Sequence, residues 1–127
     1  MNYISTRGAE AQGVSSAYAI KTGLAKDGGL YMPESIPALT MDEIRELAAE
    51  KYTVRAARIL AKFLTDYDYE ELLEDAEAAY SEAKFGPHPA PVTSLGELGY
   101  MLELWHGPTS AFKDMALQIM PRLFVRA

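Results

Sequence analysis

Hydrophobic and polar residues alternate with the period of an α-helix through the middle of the chain, and this pattern predicts three helices. The first begins after Thr40, because the Thr40 hydroxyl and the Glu43 carboxylate can form a capping box, each accepting from the other residue's amide. The inward stripe predicted for this helix is Ile44, Leu47 and Ala48.

The other two helices are predicted to begin at Thr53 and after Asp68, a capping residue followed by Glu71 three positions later. Each has apolar residues at helical spacing on one face and charged residues on the other. The inward residues are Val54, Ala57, Leu60, Ala61 and Leu64 in the second helix and Leu72, Leu73, Ala76, Ala79 and Tyr80 in the third. The basic residues turned outward on the second helix are Arg55, Arg58 and Lys62.

The outer face of the third helix is acidic and has two interpretations. It can be a metal site or a site for a basic partner, or it can be an ordinary solvated surface. Exposed helices are normally charged on the outside, so we favour the solvated surface. The acidic residues are Glu70, Glu74, Asp75, Glu77 and Glu82.

Shorter elements are predicted on both sides of these helices. Residues 3–7 predict a strand, residues 14–22 a helix that stops at Gly23, and residues 30–32 a second strand after the turn at 27–29.

Three prolines and three glycines interrupt residues 85–99, so this segment is predicted to cross the surface, with an edge strand at Val92–Thr93. Residues 100–105, YMLELW, are apolar at five of six positions. Such a run predicts a strand buried on both faces, as in a parallel sheet covered by helices. The expected fold class is therefore α/β, rich in helices and with short strands.

Composition excludes several classes of function. The chain has 127 residues, of which 49% are hydrophobic, and a net charge of −6, which argues against nucleic acid or an anionic membrane as the main partner. It has no cysteine, and its two histidines, His88 and His106, lack metal-ligand spacing. Without a signal peptide or a long apolar run, we expect a cytoplasmic protein with no metal and no membrane or nucleic-acid partner.

A last helix is predicted from Thr109 or Ser110 to Val125, with a kink at Pro121. Its apolar face consists of Phe112, Met115, Ala116, Ile119, Met120 and Leu123. Lys113 then lies at the border of that face, in the first helical turn and soon after a strand.

This position gives Lys113 two interpretations. Partial burial and the positive end of a helix dipole both disfavour an ammonium ion, so the amine is suited to form a Schiff base with a carbonyl compound. A lysine in a first turn is also commonly a solvated surface charge, and Asp114 can pair with it or favour the start of the helix. Position alone leaves both interpretations open.

The segment LELWHGPTSAFKD resembles the cofactor-lysine motif of the threonine synthase family, whose members use pyridoxal phosphate (PLP) and have the tryptophan synthase β-type fold. The opening YISTRG and the segment VSSAYAIKTGLAKDGGLYMPESIP are also similar to that family. One departure is Trp105, where the family often has Phe. The resemblance implies that residues 1–90 are the N-terminal domain and that 91–127 begin a PLP core of fold type II with its first strand, turn and helix.

By this resemblance Lys113 binds PLP as a Schiff base and moves protons on and off the substrate carbons. Phe112 packs near the cofactor or, equally, in the core. His106 is expected to be a turn residue bonded to backbone rather than an acid or base, and Thr109 or Ser110 to cap the last helix. The reaction implied converts O-phospho-L-homoserine and water to L-threonine and phosphate.

Ser15 and Ser16 have two interpretations, as contacts for a substrate phosphate or as a cap for the early helix, and we favour the cap. No glycine-rich phosphate loop is visible, so we expect an N-terminal fragment with weak or absent PLP binding and little lyase activity. Its last helix would be left open and would favour a homo-oligomer. The alternative is a non-catalytic interaction or structural domain related to the family.

Overall fold

The computed structural model describes residues 1–8 and 12–127 and shows a helix-rich α/β chain. The strands are β1 (Tyr3–Ser5), β2 (Tyr31–Pro33), β3 (Val92–Ser94) and β4 (Tyr100–Leu102). The helices are α1 (Ser16–Thr22), α2 (Met41–Ala49), α3 (Tyr52–Phe63), α4 (Tyr69–Ala79), α5 (Glu82–Phe85), α6 (Asp114–Leu117) and α7 (Met120–Arg126). A 3₁₀ turn at Gly96–Leu98 lies between β3 and β4.

The core lies where α3 packs against α4. Alanines occupy several of its fully buried positions, and their small side chains let the two helices approach closely. Ile119 and Leu123, from the end of the chain, are buried in the same cluster. The apolar stripes predicted for α3 and α4 are confirmed at their buried positions, which are Ala57, Leu64, Leu72, Ala76, Ala79 and Tyr80.

The caps predicted for α2 and α4 are present. The Glu43 amide donates to the Thr40 hydroxyl at 3.2 Å, and the Thr40 amide donates to the Glu43 carboxylate at 2.7 Å. The Asp68 carboxylate accepts from the amides of Glu70 and Glu71 at the start of α4. Local hydrogen bonds of this kind depend only on neighbouring residues, so the sequence pattern predicts them well.

The predicted inward stripe of α2 is only partly correct. Leu47 is buried, whereas Ile44 and Ala48 are exposed. Among the described residues, α2 makes its main helix contact with α3, and this contact covers a narrower part of α2 than the stripe.

The strands form two separate antiparallel pairs. β1 pairs with β2, with Tyr3 opposite Pro33, and β3 pairs with β4, with Val92 opposite Leu102. The edge strand predicted at Val92–Thr93 is therefore confirmed, but the buried parallel strand at 100–105 is wrong. β4 ends at Leu102 and all three of its residues are exposed, because no described helix covers either face of the hairpin.

The acidic face of α4 is not solvated throughout, because Asp75 is buried. Its side chain is buried and accepts a hydrogen bond of 2.5 Å from Arg126 Nε. Arg126 also pairs with Glu71 at 2.9 Å, and Arg122 lies 3.5 Å from Asp75. One edge of the acidic face therefore holds α7, while Glu70, Glu77 and Glu82 remain exposed, as predicted.

The predicted continuous last helix is wrong. Residues 109–113 form turns, and the helices that follow are the short α6 and α7. Pro121 lies in the first turn of α7, where its missing amide proton is tolerated, and it cannot continue a helix from α6 without losing a hydrogen bond.

Two tyrosines hold the end of the chain against the core. The Tyr67 hydroxyl donates to the Leu123 carbonyl at 3.0 Å, and the Tyr80 hydroxyl donates to the Met115 carbonyl at 2.8 Å. Burial raises the pKa of Tyr80 to about 12. This phenol therefore keeps its donor proton at physiological pH.

The capping box predicts a pH dependence of stability. Hydrogen bonds from Lys62, which has the largest effect, and from Thr40 lower the pKa of Glu43 to about 2, from an ordinary value of 4.5. Because the folded pKa is depressed, this stabilisation is fully present above pH 4.5 and is lost as the pH falls towards about 2. We expect Glu43→Gln to flatten the pH dependence of the free energy of unfolding in that range, measured by urea titration. The exposed Glu97→Gln is the control, and an equal flattening in both variants would contradict the assignment.

Candidate functional site

The connection between β4 and α6, residues 103–113, carries the predicted site residues. Glu103 joins this connection to the hairpin, because its carboxylate accepts a hydrogen bond from the Thr93 hydroxyl on β3. Its other oxygen lies 2.7 Å from Nε2 of His106, whose ring stacks on Trp105. Two hydrogen bonds lower the pKa of Glu103. The larger effect comes from Thr93 and the smaller from His106.

His106 lies just before the turn at 107–110, and its observed partner is a carboxylate and not the predicted backbone group. An ionised carboxylate can only accept, so Nε2 carries the proton in this bond. Glu103 thus fixes the orientation of the ring.

A buried carboxylate closes the turn that follows. Asp114 is 1% exposed and accepts from the Thr109 amide at 2.7 Å and the Thr109 hydroxyl at 2.9 Å. A Cβ at Gly107 would lie 2.4 Å from the Asp114 Cβ, so only glycine fits there without movement. Ser110, with φ 57°, donates from its amide to the Gly107 carbonyl.

These contacts correct the predicted helix cap and decide between the two roles considered for Asp114. The Thr109 hydroxyl donates to Asp114, and Ser110 has left-handed backbone, so neither residue caps a helix here. Asp114 lies in the first turn of α6, accepts from Thr109 and makes no ion pair with Lys113 within the described ranges. The turn from 107 to 114 is therefore fixed by its own side chains.

Lys113 lies at the end of this turn, immediately before α6. Its side chain is exposed and, within residues 1–8 and 12–127, makes no hydrogen bond or ion pair. The predicted half-burial of this amine is wrong for the chain as it stands. The reason is that residues 109–113 form turns and do not place Lys113 beside an inward helical stripe.

Phe112 is 67% exposed, so the interpretation that it packs in the core is also wrong. The structure presents Phe112 and Lys113 side by side on the surface of one turn. Lys113 does not line the groove beside Tyr52 and His88 or the smaller one beside Leu47 and Tyr69.

The two early serines are both engaged within the domain. The Ser15 hydroxyl caps α1 by accepting from the Tyr18 amide at 3.2 Å, as favoured from the sequence. Ser16 is fully buried and its hydroxyl donates to Asp66. The Ser16 hydroxyl is therefore committed to Asp66, and the observed role of Ser15 is the cap.

Sequence reasoning missed the partners of Glu103 and the burial of Asp114. Glu103 is the one polar residue in the apolar run YMLELW, which is a signal that its side chain has a specific partner. The burial of Asp114 had no such signal, because it depends on the close approach of Gly107 and Thr109. Among the described residues no group of three potential metal-binding side chains is found, and no helix is long and apolar enough to cross a membrane.

Fold and site together define a helix-rich α/β chain whose last strand leads into a fixed turn bearing an exposed lysine. A family model described as Threonine synthase N terminus matches residues 2–80 of it. The threonine synthase of Pseudomonas aeruginosa is 39% identical over 127 residues, which cover 97% of this chain and 26% of that protein. Threonine synthase-like 1 of Homo sapiens is 39% identical over 109 residues, covering 84% and 15% of the two chains.

Solved structures give the same result. PLP-bound threonine synthase from Brucella melitensis matches with a TM-score of 0.89 and 35% identity, over 98% of this chain and 26% of that one. Threonine synthase from Escherichia coli matches with a TM-score of 0.86 and 32% identity, over 99% of this chain and 28% of that one. The chain belongs to the threonine synthase N-terminus family, which confirms the resemblance, and it spans about a quarter of the length of these threonine synthases.

The fixed turn can be tested by Gly107→Ala. The added methyl group would overlap Asp114, so we expect the free energy of unfolding to fall by about 1–3 kcal/mol. We also expect faster hydrogen exchange at the Thr109 amide, followed by NMR. Ala111→Ser, at an exposed position of the same turn, should change stability by less than about 0.5 kcal/mol. Equal effects of the two substitutions would show that the close contact is absent.

Proposed function

We propose that the chain supplies the cofactor lysine of a cytoplasmic threonine synthase, which converts O-phospho-L-homoserine and water to L-threonine and phosphate. The observation that carries this proposal is Lys113, exposed at the end of a fixed turn whose sequence, HGPTSAFKD, resembles the family's cofactor motif. Residues 1–90 would then be the N-terminal domain, and 91–127 the start of the PLP-binding core.

The residues present fit the aldehyde end of PLP and its ring. The Lys113 amine is accessible and unpaired within the described ranges, as an amine that condenses with an aldehyde must be. Phe112, exposed beside it, is available to pack against a flat ring. The cofactor, when bound, supplies an electron sink for substrate carbanions.

For the phosphate end of PLP, the described residues show no glycine-rich loop comparable to those that bind phosphate. We therefore infer weak or absent binding by this chain alone. Within the whole enzyme, the part played by Lys113 is to hold the cofactor covalently and to move a proton at Nζ to and from the substrate carbons. Asp114 and Gly107 keep the turn that presents Nζ.

The proposal can be tested by replacing the N-terminal quarter of the P. aeruginosa threonine synthase with this chain and measuring phosphate release from O-phospho-L-homoserine. We expect an active chimera, and Lys113→Ala should lower its kcat by at least about 100-fold, because proton transfer at Nζ is lost. Lys26→Ala, at another exposed lysine, is the matched control and should leave kcat unchanged.

An inactive but folded chimera would favour the alternative, a non-catalytic interaction domain. The exposed apolar residues on β4 and α7 are the observation in favour of that alternative. A chimera whose activity survives Lys113→Ala would instead contradict the role of Lys113 alone.

We further propose that the chain forms a homo-oligomer through the outer face of α7. Phe124 and Val125 are both exposed on this helix, Val125 by 85%, and Leu117 of α6 is exposed nearby in sequence. Exposed apolar residues favour association where they form one patch.

Sedimentation velocity over a range of concentrations should therefore show a dimer or larger species. Phe124→Glu should shift the chain to monomer, whereas Leu98→Glu, at an exposed apolar residue of the 3₁₀ turn, should not. A monomer at every concentration would contradict this interface.

A further inference from the structure

A second candidate site lies away from Lys113, in a groove of about 860 Å³ between the helical core and the proline-rich segment. This volume is within the range of small-molecule sites. The groove is bounded by the start of α3, the end of α4 and residues 86–92. Its lining includes Tyr52, Arg55, Glu77, Tyr80, Glu82 and His88.

Arg55 is the unusual residue of this groove. Its Nε is buried and has no hydrogen-bond partner, and the described chain provides no carboxylate within ion-pair distance of its guanidinium. The guanidinium carbon lies 5.8 Å from the centre of the Tyr52 ring. An unsatisfied buried donor costs about 1–3 kcal/mol, and each such donor in a native protein needs an explanation, of which an acceptor on a bound molecule is one.

Charges of both signs line the groove without neutralising each other. Glu50, Glu77 and Glu82 are exposed there, and within the described residues none of them pairs with Arg55 or Lys51. These carboxylates would repel a simple anion that approached Arg55. A ligand that carries both an anionic and a cationic group matches the lining better.

The groove also offers apolar surface. The Tyr52 and Tyr80 rings meet edge to face, with centroids 5.1 Å apart, and three prolines are also among the lining residues. An aliphatic side chain can pack against such rings while the charged groups of the ligand stay at the polar positions.

We propose that this groove binds a zwitterionic amino acid with an apolar side chain. The ligand's carboxylate pairs with Arg55, its ammonium group pairs with the carboxylates of Glu77 and Glu82, and its side chain packs on Tyr52 and Tyr80. This site is separate from Lys113 and does not depend on the reaction proposed above.

The test is an NMR titration of the ¹⁵N-labelled 127-residue chain with L-leucine, followed at Arg55 Nε and at the Tyr52 amide. We expect saturable shifts at both. The analogues 4-methylpentanoate, which lacks the amino group, and 3-methylbutylamine, which lacks the carboxylate, should each bind at least ~10-fold more weakly, a loss equivalent to one favourable ion pair.

Arg55→Gln should also weaken L-leucine binding at least ~10-fold, and Glu77→Gln, at the other end of the ligand, should weaken it as well. Arg45→Gln is the control, because Arg45 lies on α2 in an exposed pair with Asp42, outside the groove. Circular dichroism of each variant establishes that it is folded.

Three results would overturn the proposal. The first is no shift at Arg55 up to the solubility limit of L-leucine. The second is unchanged binding in folded Arg55→Gln. The third is equal affinity for 4-methylpentanoate, which would make the groove a plain anion site.

Discussion

The packing of α3 on α4, closed by Ile119 and Leu123, is the interaction on which the rest of the structure depends. These two residues are far along the chain from the helices that they contact, so their burial ties the end of the chain to its middle. Hydrophobic burial supplies the main driving force for such an arrangement. Both the turn with Lys113 and the groove with Arg55 are attached to this core.

Much of the local structure could be predicted from the sequence. The capping box at Thr40, the cap at Asp68 and the stop at Gly23 depend on residues three or four positions apart, so pattern alone identifies them. The helical stripes of α3 and α4 were also predictable, because each is long enough to show its period. Recognition of the family rested on a specific motif and not on periodicity.

The predictions that the structure contradicts concern features set by contacts between residues far apart in the sequence. The apolar run at 100–105 resembles a buried strand, but burial requires neighbouring elements, and the described chain places none over β4. Residues 109–113 have helical spacing, yet the buried Asp114 carboxylate and the left-handed backbone of Ser110 hold them in turns. The exposure of Lys113 follows directly from that difference. Asp75 shows the same limit, since its burial is set by an arginine 51 residues away.

Tyr80 connects the two candidate sites physically. Its ring lines the groove, while its hydroxyl donates to the carbonyl of Met115, two residues after Lys113. One side chain therefore contacts both the groove and the segment that follows Lys113. A single phenol thus serves both regions, so a substitution at this position would remove a lining ring of the groove and a hydrogen bond to the segment after Lys113 together.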